Sequence, residues 1–410
     1  MRKTFSSAVL MLVVALVITA CGGTTPASSG SPTTAASAPT TAAAPTTAAT
    51  EAPTEAATEA PTAAATAAAT AMTSATTTAG GAGGKIAILL PETKTARYES
   101  QDLPNFKAKL QALGFDVANN LIYSNANQDA STQQQQAEAA LTNGAKVLVL
   151  DPVDSSSAAV IADSAKAKGV PVISYDRLIK GSDGVSYYLS FDNEQVGKLQ
   201  GQSLLAALKG KSGASIVMIN GSPTDNNATL FKQGAHSALD GKVTIAKEYD
   251  TPDWSPDKAQ EEMTQALTAL GNKVDGVYAA NDGTAGGAIA AMKAAGVNPL
   301  PPITGQDAEL AAVQRILAGE QYMTVYKAIK PEAETAAQLA YSLLNGQQPD
   351  ATLLNGKINN GKIDVPSVLL TPVAVTKDKI ASTIVADGFW KASDICTADY
   401  SSACAAAGIK

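Results

Sequence analysis

The sequence predicts an α/β protein of two doubly wound parallel-sheet lobes, preceded by an export signal and a disordered tether. Three observations predict it. From residue 85 onward, short apolar runs alternate with helix-patterned stretches, the pattern of parallel sheets covered by helices on both faces. The alternation falls into two series of similar size, 85–191 and 192–325. Four of the runs end in clusters of hydrogen-bonding residues: SYDR (174–177), SPTDNN (222–227), AANDGTAGG (279–287) and TGQDAEL (304–310). Open α/β sheets hold their ligands outside such strand ends.

The N-terminal segment comes first. A basic start (Arg2, Lys3), an apolar run over 8–18 and the small residues after it read as a secretory signal over 1–20. The run is about half the ~20 residues that span a bilayer. Ile18-Thr19-Ala20-Cys21 resembles a bacterial lipobox, which makes Cys21 the expected lipidation site and the expected link to a membrane. Residues 22–84 are mostly Thr, Ala, Ser, Pro and Gly with three glutamates, no basic residue and no aromatic one. Such a stretch cannot offset its ordering entropy and reads as a tether over 21–84.

The chain of 410 residues is too long for one compact core. KIAILLP (85–91) is a continuous apolar run, as a buried parallel strand should be. A helix follows over 103–113, with Gly114 suited to end it. A strand near 117–123, a helix over 132–142, KVLVLDP, a helix over 157–168, GVPVISYD, YYLSFDN and a helix over 194–208 continue the series. ASIVMIN, VTIAKEYD, VDGVYAAND, PPITGQD and MTVYK repeat it, separated by helical patterns. The leftover 326–346 and the apolar VPSVLLTPVAVT indicate that the chain crosses between lobes more than once. The expected division is 85–191 with 326–346, then 192–325 with 347–395, then a tail over 396–410. Cys396 and Cys404, in an extracytoplasmic chain, are expected to close a small loop as a disulfide.

The formal charge of −7 and the lack of a basic cluster argue against nucleic acid as a partner. No metal-ligand spacing occurs, and the single histidine, His236, reads as a solvent-facing residue. The strand-end clusters are rich in Asp, Asn and Arg but lack a nucleophile–base pairing. Asp176 and Arg177 together supply carboxylate acceptors and a fork of five donors, which suits adjacent hydroxyls; a structural salt bridge is the plainer reading. Asp225, Asn226, Asn227, Asn281, Asp282 and Asp307 carry a double reading, as ligand contacts or as helix N-caps. Trp254, between prolines in DTPDWSPD, and Tyr98, beside Arg97, are candidate aromatic faces for a sugar ring, with domain packing as the alternative.

Seven stretches carry a more specific signal: YDRLI, SFDNEQVG, GSPTDNNATLF, ANDGTAGGAI, GQDAEL, MTVYK and DVPSVLLTPV. In this order, over 85–391, the chain resembles the bacterial periplasmic sugar-binding proteins of ABC transporters, most of all their D-xylose-binding branch. The resemblance implies a type I periplasmic-binding fold, with three crossovers and lobes that close on the ligand. It places sugar contacts on Arg97, Asp176, Arg177, Asn226, Asn281, Asp307 and Lys327, and aromatic walls on Tyr98 and Trp254. Within SPTDNN it favours Asn226 as the contact and leaves Asp225 and Asn227 as caps. Tyr98 stands where the family commonly carries tryptophan, and the loop PETKTARYE departs from its usual acidic stretch. The implied function is a lipid-anchored, monomeric, extracytoplasmic receptor, without cofactor or metal and not an enzyme. It would hand a monosaccharide, D-xylose first among the aldopentoses, to an ABC permease; a sensor feeding a kinase or chemotaxis receptor is the alternative. A repressor of related fold would need a DNA-binding module before residue 85, where this chain has its signal and tether. A glycosidase would need an acid–base carboxylate pair, which the neighbouring cations Arg177 and Lys327 disfavour.

Overall fold

The structure, a computed structural model, describes residues 83–409. The expected signal, Cys21 and all but the last two residues of the expected tether lie outside the described residues. The first lobe begins with β1 (Lys85–Leu90). A single wide turn over Tyr98–Asp102 then runs into α1 (Leu103–Ala112), α2 (Val117–Asn120), β2 (Leu121–Asn125), α3 (Ala130–Thr142) and β3 (Ala145–Leu150). After α4 (Ala159–Ala167) come β4 (Val172–Tyr175) and β5 (Val185–Phe191). The second lobe follows as α5 (Asn193–Ala207), β6 (Ser215–Asn220), α6 (Asn226–Leu239), β7 (Thr244–Asp250), α7 (Pro256–Leu270) and β8 (Gly276–Ala279). It continues through α8 (Asp282–Ala294), α9 (Leu310–Ala318) and β9 (Met323–Tyr326). The chain ends with α10 (Ile329–Leu344), β10 (Gly356–Asn359), β11 (Asp364–Leu370), β12 (Val373–Thr376), α11 (Ala392–Ile395) and α12 (Ser401–Ala406).

The first sheet has the order β10-β11-β5-β4-β3-β1-β2 and is parallel except for the β10–β11 pair. β1 shows why its sequence is apolar throughout. Ile86, Ile88 and Leu90 pack with Phe106 and Leu110 of α1 and with the alanines of α10. Ala87 and Leu89 face the other way, against α3 and α4. A strand buried on both faces has no position for a polar residue. The second sheet places β6 between β7 and β8, all parallel, and β9 pairs antiparallel with β12. Isolated bridges, Val277 to Ile303 and Gln306 to Val325, connect the two sets.

The chain passes between lobes three times. β5 lies in the first sheet while α5 packs on α6 of the second lobe; α10 returns from β9 to α1; and β12 leaves β11 to join β9. The α5–α6 packing depends on glycine. A Cβ on Gly197 would lie 1.8 Å from the Phe231 carbonyl oxygen, and one on Gly234 would lie 1.9 Å from that of Glu194.

Three placements differ from the sequence expectation. Residues 117–120 form a short helix rather than the start of a strand, because the Asp116 side chain caps the turn by accepting from the Asn119 N–H. The prolines before Ile303 lack N–H donors, so the expected strand there shrinks to one bridge. Residues 356–370 lie with the first lobe, not the second, because β11 pairs with β5. The C-terminal tail packs on the second lobe around α9, and Cys396 and Cys404 are joined by a disulfide. Among the described residues no helix is long and apolar enough to cross a membrane.

Candidate functional site

Where β1 ends, the loop to α1 carries Arg97 and Tyr98 inward, each at most 3 % exposed. Arg97 is held from behind: Nε and Nη2 donate to Asp102 at 3.0 and 2.7 Å, and Nη2 donates to Glu332 of α10 at 2.7 Å. Its remaining nitrogen, Nη1, points forward, 3.4 Å from Asp176 Oδ1 and 3.8 Å from Asp307 Oδ1. The Tyr98 hydroxyl donates to Asp176 Oδ2 at 2.8 Å. Two guanidinium groups lie near the Tyr98 ring, Arg97 at 5.3 Å and Arg177 at 5.6 Å from its centroid.

Asp176 and Arg177 follow β4. Asp176 is in the left-handed region (φ 52°), and so are Trp254 (φ 53°) and Asp307 (φ 88°). Such backbones cost on the order of 1–3 kcal/mol each for residues other than glycine and concentrate at functional sites. Burial alone pushes the Asp176 carboxyl up; Arg97, Lys327, Arg177 and the Tyr98 hydroxyl outweigh it and hold the carboxyl at about 2. Arg177 Nε lies 3.1 Å from Asp225 Oδ2 of the second lobe, and its Nη2 lies 3.4 Å from Glu92 of the first. Lys327, at the second crossover, places Nζ 3.0 Å from Asp307 Oδ1 and 3.9 Å from Asp176 Oδ1.

The second lobe contributes from three helix starts or strand ends. Asp225 caps α6 by accepting from the Asn227 N–H at 2.8 Å, and its other oxygen accepts from Trp254 Nε1 at 3.1 Å. One carboxylate therefore serves both as cap and as site wall. Asn281 caps α8 in a reciprocal arrangement with Thr284 and still faces the cavity. Trp254 meets Phe231 edge-to-face at 6.2 Å. Its ring also lies across Gly221, where a Cβ would sit 2.0 Å from the indole. We expect Gly221→Ala to displace Trp254 into the cavity and cost about 1–3 kcal/mol, as overpacking does. Ligand affinity and thermal melting of the variant check this; a variant with both unchanged contradicts the placement.

These groups surround a small cavity of about 260 Å³, a volume that includes space open to solvent. Arg97, Tyr98, Asp176, Arg177, Trp254, Asn281, Asp307 and Lys327 all line it. Asn226 does not. It is half-buried, and its backbone N–H donates to Ser155 Oγ at 3.0 Å, while Asn227 lines the cavity in its place. The helix starting at 226 turns about 100° per residue, so neighbouring side chains cannot share a direction. Asn227 Nδ2 donates to the Asp176 carbonyl at 3.0 Å, across the two lobes. Asp225 and Asn227, left as caps by the resemblance, line the cavity, as do Thr95, Phe231 and Gln306, which the sequence did not mark as contacts. Gln306 Oε1 is buried with no hydrogen-bond partner among the described residues, so an acceptor remains for a bound molecule. Among the described residues no cluster suited to a metal ion occurs, and His236 pairs with Asp240 and Glu248 at the surface.

A small polar cavity between two sheets, ringed by charged side chains and aromatic faces, is the architecture of a solute-binding site. The chain belongs to the periplasmic binding protein family, whose domain model matches residues 86–348, and it has the type I fold of that family. It is 40 % identical over 316 residues to the D-xylose-binding periplasmic protein of Escherichia coli K12, covering 76 % of this chain and 92 % of that one. It is 35 % identical over 332 residues to the multiple sugar-binding periplasmic receptor ChvE of Rhizobium radiobacter, covering 76 % of this chain and 92 % of that one. A solved carbohydrate transporter solute-binding protein of Chloroflexus aurantiacus, in complex with D-glucose, is 33 % identical with a TM-score of 0.69. That match covers 75 % of this chain and 97 % of that one. The family binds solutes and is not enzymatic.

Proposed function

We propose that this chain is an extracytoplasmic receptor that captures one monosaccharide, D-xylose first among the aldopentoses, and delivers it to an ABC permease. The observation that carries the reading is the convergence of Asp176 and Arg97 from one lobe with Asp307 and Asn281 from the other on one small cavity. The cavity is small and lined by charged, amide and aromatic side chains, which suits a single sugar ring. Charged donors and acceptors meet hydroxyls with short, directional bonds, and a sugar lacking one hydroxyl leaves a buried charge unpaired. Tyr98 and Trp254 supply apolar faces for the C–H side of the ring. The xylose-binding relatives support the pentose, while the multiple-sugar and glucose-binding relatives keep hexoses in the comparison.

In this reading Cys21 carries the lipid that tethers a monomeric receptor to the membrane. Calorimetric titration against D-xylose, D-ribose, L-arabinose, D-glucose and D-galactose tests the ligand class. D-xylose should bind most tightly with one site per chain; no heat from any of the five would overturn the reading. Radiolabelled xylose uptake in a strain lacking the chain separates delivery to a permease from a sensory role, because only delivery makes uptake depend on it.

A further inference from the structure

The segment after β12 has no assigned part in the site, yet it grips both sides of it from behind. Trp390 Nε1 donates to the Ala308 carbonyl at 2.8 Å. Ala308 (φ 48°) follows Asp307 (φ 88°), so two consecutive residues hold a left-handed conformation that side chains other than glycine rarely adopt. The front of this turn is tied by the Asp307 N–H to the Val325 carbonyl at 2.9 Å and by the Ala308 N–H to Thr324 Oγ1 at 3.1 Å. Trp390 ties its back.

The neighbouring Phe389 packs edge-to-face on Tyr326 at 5.2 Å, directly before Lys327, and the Tyr326 hydroxyl donates to Asp387. The Phe389 carbonyl accepts from Gln101 Nε2 at 3.1 Å, in the turn that follows Arg97 and Tyr98. Further along, Gln314 of α9 donates to the Ile395 carbonyl at 3.2 Å, and the Cys396–Cys404 disulfide closes the end of the segment with Cys404 buried in the same core.

We propose that segment 377–409 is a positioning element for the ligand site: Trp390 holds the Asp307–Ala308 turn, and Phe389 holds the crossover at Tyr326–Lys327. The link to affinity rests on the ligand reading above; the link to the turn does not. Trp390→Phe keeps an aromatic ring at this position while removing the N–H donor and part of the indole.

The full chain carrying Trp390→Phe is compared with the unaltered chain and with Leu270→Ala, a half-buried position at the end of α7 that does not line the cavity. D-xylose affinity should fall about fivefold to tenfold in Trp390→Phe, as for one lost hydrogen bond. Without sugar, the amides of 305–310 should exchange with deuterium faster. The double substitution Cys396→Ser with Cys404→Ser should move both readouts the same way. Leu270→Ala should lower the melting temperature while leaving affinity and exchange unchanged. Unchanged exchange over 305–310 in Trp390→Phe overturns the proposal, and so does unchanged affinity where the unaltered chain binds. If the unaltered chain takes no sugar, the ligand reading fails and exchange alone decides the positioning role.

Discussion

Replacing Arg97 with alanine is expected to abolish sugar binding and to cost about 3–5 kcal/mol of folding stability, the usual result of removing one partner of a buried ion pair. The expectation follows from where its charge goes. Asp102 and Glu332 are fully buried behind it, and burial pushes both carboxyls up against the pull of this one guanidinium. Without Arg97 those carboxylates lose their compensating cation, and Asp176 loses the largest of the charges that keep it ionised. Arg97→Lys should recover part of the stability and little of the binding. An ammonium cannot contact Asp102 through two nitrogens while still facing Asp176 and Asp307. Urea unfolding and titration of both variants check this; a stable Arg97→Ala chain that binds would refute the role.

Asp176→Asn carries the second large effect. The carboxylate accepts from Tyr98 and Arg97, faces Lys327, and has φ 52°, a conformation that asparagine tolerates as well as aspartate. The substitution therefore changes charge with little change of shape. Affinity should fall by about 1.5–3 kcal/mol, roughly 10- to 150-fold. The pH dependence has a definite sign. A carboxyl held at about 2 in the fold and near 3.9 when unfolded contributes stability above pH 3.9 that is lost as the pH falls toward 2. Across pH 5 to 8 Asp176 stays ionised, so the affinity difference between the unaltered chain and Asp176→Asn should be the same throughout that range. An Asp176→Asn penalty that shrinks tenfold between pH 8 and pH 5.5 would show that Asp176 is not the ionised contact.

What the sequence revealed and what it hid follow physical lines. Strand-end residues such as Asp176, Asn281 and Asp307 were legible because the apolar run before each fixes the point where the chain leaves the sheet. Trp254 was legible because a large ring between two prolines needs a partner, and Asp225 with Phe231 supplies one. Arg97 and Lys327 became candidates only through the resemblance, since no local pattern marks a cation that faces carboxylates from distant strands.

The choice within Asp225-Asn226-Asn227 depended on helix phase. The cap position is shared by the site, so capping and lining were never alternatives for Asp225. Gln306 gave no signal beyond its place next to Asp307. In the fold, the short strands around 356–370 read from the sequence as part of the second lobe but belong to the first, because the partner of β11 is β5, more than 170 residues away. Pairing across such a distance leaves no trace in local periodicity.

The central claim is that the lobes close on one sugar ring between Tyr98 and Trp254, held by Asp176 and Asp307. A crystal structure of the full chain grown with D-xylose tests it most directly. The account predicts one sugar in the cavity, its hydroxyl oxygens about 2.6–3.2 Å from the Asp176 and Asp307 carboxylates and from Arg97 Nη1. A sugar bound elsewhere on the chain, or in this cavity without contact to either carboxylate, would contradict it.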